Sequence, residues 1–163
     1  MLAELGPKSL SRQQVPVITR FLCDRLDDET GLKETAASLT RLTKMHFFGD
    51  GEATQVATAL VKVDLPKHPP TTRFTVLTLV DSLMSRYRDS LKAMGDRFVT
   101  GLADMIGGEK DPRNLMIAFS VMKVVLVEFD IVRHTEVHHA KLQAPFCGRR
   151  ANARVWLITA DFS

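Results

Sequence analysis

The sequence is short of the residues that most site chemistry needs. Only two cysteines occur among 163 residues. Cys23 and Cys147 lie far apart in no ligand spacing, which argues against a disulfide framework or thiolate knuckle and suits a reducing compartment. The opening "MLAELGPKSLSRQQ" has no basic region followed by an apolar core, so it does not read as a secretory signal. The most apolar run, Leu115 to Val127, carries Ser120 and Lys123 and is too short to span a bilayer. A phosphate loop is missing as well: in "GGEKDPRN" the glycines are adjacent and Lys110 is followed by Asp111. Convincing strand alternation is absent from the first 130 residues.

What is present describes an ordinary globular chain expected in cytosol or nucleus, with 45% hydrophobic and 25% charged residues and enough length for one core. Its charge is uneven. The first 130 residues balance 17 basic against 17 acidic side chains, so the net charge of +3 resides in the remainder. There Arg133, Lys141, Arg149, Arg150 and Arg154 face only Glu136 and Asp161. This divides the chain into a neutral helical domain, 1–130, and a basic tail, 131–163, expected to be mostly irregular.

Helical periodicity runs through the first part. Gln13 to Leu26 sets Val17, Phe21 and Leu22 on one side. Leu32, Ala36, Leu39, Leu42 and Met45 recur at steps of three and four. Ala53 to Val63 follows, then "DLPKHPP" stops any helix. Thr71 to about Arg86, Arg88 to Ile106 with a bend near Gly95, and Pro112 to Phe129 complete the set. In "GGEKDPRN" the glycines end one helix, Asp111 caps the next, and Pro112 takes its first position, where a missing N–H is harmless.

A step of forty residues overlays the second helix of each pair on the next. Lys33, Arg73 and Arg113 coincide, as do Ala36, Val76 and Met116, then Ala37, Leu77 and Ile117, then Leu39, Leu79 and Phe119. A helix pair repeated at this period predicts an all-α, HEAT- or armadillo-like solenoid of about three helix pairs, each burying its apolar face against the next. Ala36, Leu39, Val76, Leu79, Met116 and Phe119 are then expected in the core. Self-association through the end formed by the last helix is also expected.

The segments "GEKDPRNLMIAFSVMKVV", "LGPKSLSRQQVPVITRFLCDRL" and "LKAMGDRFVTGLADMIGG" together resemble the N-terminal domain of the MMS-nineteen family of HEAT-repeat proteins. The resemblance covers about Leu2 to Ile131 and is most specific between 95 and 119; after "VEFDI" the sequence departs from it. It implies a non-enzymatic adaptor of cytosolic iron–sulfur assembly, active in nucleus and cytoplasm. Implied partners are the assembly factors, apo iron–sulfur clients of DNA repair, replication and transcription, and the TFIIH helicase. It also implies that no cofactor is bound directly, which agrees with a helical part offering Cys23 alone, since a cluster needs four thiolates. The C-terminal repeats that dock other factors in the family lie beyond this chain, so full cluster targeting is not expected of it.

The individual candidates reduce to a short set. No catalytic constellation appears, and Cys23 among apolar neighbours reads as a core thiol. Of His134, His138 and His139, the first two are spaced for one helical turn, but Cys147 is the only further ligand nearby, short of a four-ligand site. Arg149, Arg150 and Arg154 beside Trp156 invite the alternative of a basic accessory factor that binds nucleic acid through its tail, which the neutral helical part disfavours, and a structural helical-repeat domain without surviving activity is the third reading. Lys33, Arg73 and Arg113 remain as a protein-interaction face for acidic clients, against the plainer reading that they pack their stems and pair with acids such as Asp28 and Glu109.

Overall fold

The computed structural model describes residues 9–129, and the tail beyond them, with its histidines, Cys147 and Trp156, lies outside the described residues. Among the described residues seven α-helices follow one another: α1 Gln14–Asp24, α2 Leu32–Leu42, α3 Asp50–Leu60, α4 Pro70–Arg86, α5 Arg88–Ala93, α6 Asp96–Ile106 and α7 Pro112–Glu128. A 3-10 turn, Leu65–Lys67, sits in the proline-rich stretch. No strand occurs among the described residues.

Contacts sort the helices into two layers. One layer packs α2 on α4 and α4 on α7; the other packs α1 on α3 and α3 on α5. This is the stacked helix-pair arrangement expected from the repeat. The third pair departs from the first two because its outer member is split. Gly95 has φ +61, a left-handed conformation that suits glycine, and it separates α5 from α6 where the sequence indicated a bend.

The repeat register needs a correction. From α2 to α4 the step of forty holds: Leu32, Ala36, Leu39 and Thr43 correspond to Thr72, Val76, Leu79 and Leu83, all buried. From α4 to α7 the buried equivalents are Asn114, Ala118, Val121 and Val125, a step of forty-two. Met116 is therefore 72% exposed and Phe119 50% exposed, contrary to the expectation that both are core. Ile117 is half-buried against the core. A two-residue slip rotates a helix by about 200°, so it moves core positions to the opposite face. The forty-residue alignment matched apolar letters, and α7 is apolar on so many sides that wrong registers match almost as well as the right one.

The face of α1 also differs from expectation. Val15, Thr19 and Cys23 are the buried residues, whereas Val17 and Phe21 are exposed. Thr19 is tolerated inside because its hydroxyl donates to the Val15 carbonyl at 2.8 Å. That polar letter in the buried stripe hid the true face. Phe21 instead lies under the Arg25 guanidinium, 5.3 Å from its carbon.

Candidate interaction surface

The loop between α6 and α7 builds a buried ionic knot. Asp111 caps α7 as the sequence indicated, its carboxylate accepting from the backbone N–H of Arg113 at 2.9 Å and of Asn114 at 3.4 Å. Gly108, at φ +78, turns the chain so that Glu109 points inward. Arg73 near the start of α4 donates through Nε to Glu109 Oε2 and through Nη2 to Glu109 Oε1, both at 2.8 Å, and its Nη1 donates to the His68 carbonyl. Asn114 Nδ2 adds bonds to Glu109 Oε2 and the Pro70 carbonyl. The backbone N–H groups of Lys110 and Asp111 donate to Glu109 Oε1.

Only 4% of the Glu109 side chain remains exposed. Burial on its own would raise the Glu109 pKa, but the bonds from Arg73, the Asp111 and Lys110 amides and Asn114 outweigh it and hold the group at about 2. Glu109 therefore stays ionised, and Arg73 with it. The surrounding cleft, lined by Pro66, Arg73, Met105, Gly107, Gly108, Glu109 and Lys110, is the outer side of this knot.

The three basic candidates meet different fates. Arg73 is committed to Glu109, the pairing that the plainer reading anticipated. Lys33 is exposed on the first turn of α2 and is equivalent to Arg73 at the step of forty. Arg113 is 82% exposed, with Asp111 3.9 Å from its Nε. The corrected register puts Leu115 in the place that Lys33 and Arg73 occupy, so the three residues do not form one row. Arg113 instead follows Thr71 and stands one turn before Met116.

The other side of the second-helix layer is open. On α4 it presents Phe74, Thr78, Asp81 and Ser85, and at the step of forty-two α7 presents Met116, Ser120, Lys123 and Val127. Phe74 is 42% and Val127 73% exposed. Sequence reasoning missed this surface because it assigned Met116 to the core. Phe74 and Met116, at equivalent positions on packed helices, make an exposed apolar pair on this otherwise mostly polar surface.

At the junction of α4 and α5 a second polar cluster forms. Glu128 accepts from Arg88 Nη1 at 2.8 Å and Lys92 Nζ at 2.9 Å, while Ser90 donates to Asp50 at 2.6 Å. These are ties between α5 and its neighbours, with their charges matched. Cys23 is buried, and burial first, then Asp24, pushes its thiol up to about 11, so it is protonated and unreactive near neutral pH. No group of three or more His, Cys, Asp or Glu side chains that could hold a metal occurs among the described residues. No helix among them is long and apolar enough to cross a membrane.

Stacked helix pairs with a buried ionic tie and an open, partly apolar helical face define a helical-repeat protein. The family profile described as "Dos2-interacting transcription regulator of RNA-Pol-II", the MMS19 N-terminal domain, matches residues 1–142, and the chain belongs to that family. The match runs past Ile131 into the start of the basic tail. The chain is 35% identical over 132 residues to the DNA repair/transcription protein mms19 of Schizosaccharomyces pombe, covering 80% of this chain and 13% of that protein. It is 30% identical to the MMS19 nucleotide excision repair protein homolog of Danio rerio, covering 78% and 13%. The MMS19 nucleotide excision repair protein homolog of Dictyostelium discoideum is 26% identical, at 82% and 12%. This chain thus spans a small part of the length of those relatives. No solved structure matches it.

Proposed function

We propose that the chain acts as a non-catalytic adaptor in cytosolic iron–sulfur protein assembly, in nucleus and cytoplasm. It would help bring clusters to apo-proteins of DNA repair, replication and transcription, including a TFIIH-type helicase, without ligating the cluster itself. The observation that carries the reading is membership of the MMS19 family over residues 1–142. The relatives named for DNA repair, transcription and nucleotide excision repair support it. Solenoids of this kind hold partners by surface complementarity and need no reacting groups.

The test is direct capture. The immobilised full chain is mixed with purified assembly factors and with a helicase in apo and cluster-loaded forms. Retention of the apo helicase, alone or through the assembly factors, is the expected result. Retention of neither the factors nor the apo form overturns the reading for this chain.

A further inference from the structure

The open face of α4 and α7 combines two kinds of recognition element. Phe74 and Met116 occupy equivalent positions on adjacent packed helices, which places them about 8–10 Å apart. On α7 the row continues on either side of Met116 to Arg113 and Lys123, both exposed. Lys123 has no ion-pair partner among the described residues, and the Asp111 carboxylate beside Arg113 is occupied as a helix cap. Ten residues of helix separate the two cations, about 15 Å. An extended chain covers that distance in four or five residues at about 3.3 Å each.

We propose that this face docks an extended acidic segment of a protein partner. One apolar side chain midway along the segment rests on Phe74 and Met116, and carboxylates two residues before and after it, on the same side of the extended chain, meet Arg113 and Lys123. Charge selects the class of partner. Nucleic acid fits poorly, because a phosphate backbone carries charge at every nucleotide and would run over Phe74, Met116 and the Asp81 carboxylate as well as the two cations, whereas two spaced carboxylates need meet only the cations. An acidic segment with a central apolar anchor meets both cations and covers the apolar pair at once. The inference deepens the adaptor reading by giving the chemistry of a client segment, and it rests on that reading for its biological meaning.

The probe is a fluorescein-labelled peptide with the core Asp-Ser-Phe-Ser-Asp, its counterpart with lysines for the aspartates, and a labelled oligo-dT of similar length. Fluorescence anisotropy with the full chain should show saturable binding of the acidic peptide only, weakened by added salt. M116D, and separately the R113E/K123E pair, should each weaken binding at least tenfold; all three positions are exposed, and unchanged circular dichroism confirms that each variant folds. Absence of binding, equal binding of the lysine peptide, tighter binding of oligo-dT, or indifference to both variants overturns the proposal. Client capture that survives with the acidic peptide unbound removes this face and leaves the adaptor reading; peptide binding without client capture does the reverse.

Discussion

Between α2 and α4 the polar contacts are neutral: the Thr43 and Ser82 hydroxyls meet at 3.0 Å, and the Tyr87 hydroxyl lies 3.1 Å from the carbonyl oxygens of both Thr43 and Phe48. Between α4 and α7 they are ionic, with Glu109 gathering Arg73, Asn114 and two backbone amides. The buried faces beneath the two contacts keep one register, with Leu39, Leu79 and Val121 at equivalent places. Stacking thus repeats one burial register, while each junction is fastened by chemistry of its own. The two junctions should therefore fail under different conditions.

The largest difference is expected on removing the ionic centre. Glu109→Ala leaves the Arg73 guanidinium nearly buried without its counter-charge and should destabilise the fold by about 3–5 kcal/mol. Ser82→Ala at the neutral junction should cost about 1 kcal/mol. Urea denaturation of both variants reads the gap, and equal losses would erase the distinction between the junctions.

If Leu39 and Leu79 hold equivalent buried places, Leu39→Ala and Leu79→Ala should lose similar amounts, about 2–5 kcal/mol each. A loss confined to one of them, measured in the same urea series, would show that the two layers of contact are not equivalent.

The junctions should also part company with pH. Glu109 has a folded pKa of about 2 against the usual 4.5, so its contribution is complete above about 4.5 and is lost as pH falls from there towards 2. The depressed value corresponds to about 3 kcal/mol. At the neutral junction the Tyr87 pKa is raised above 10.0, chiefly by burial and partly offset by Arg86. Its contribution is complete below about 10 and declines at more alkaline pH. Stability measured across the range should show an acid limb that Glu109→Gln flattens and an alkaline limb that Tyr87→Phe flattens.

Smaller effects sharpen the role of the loop. Asp111→Ala removes the α7 cap and should cost about 1 kcal/mol, with binding of the acidic peptide retained. Phe119→Ala should cost about 1 kcal/mol or less, since half of its surface is already exposed. A thermal shift as large as that of Leu79→Ala would restore Phe119 to the core and break the step of forty-two.

Much of this was legible in the letters. Prolines in "DLPKHPP", Gly95 and the "GGEKDP" turn punctuated the helices, because a missing N–H or a positive φ is a local constraint that a single residue reports. The Asp111 cap was legible for the same reason. Which side of a helix faces inward was less so. In α2 the apolar residues form one stripe, and the sequence placed it correctly. In α1 and α7 apolar residues lie on several sides, and the choice among them depends on neighbours remote in the chain. The candidate surface was missed through that same ambiguity at Met116.

The sequence by itself determined that residues 9–129 are helical, where most of their helices begin and end, and that pairs recur at about forty residues, since turns, caps and periodicity act over a few positions. Tertiary structure decided the register of α7, the burial of Glu109 and the exposure of Phe74 and Met116. Those outcomes follow from how a helix is rotated against its neighbours, and a two-residue slip that barely alters the pattern of letters turns the helix by more than half a turn.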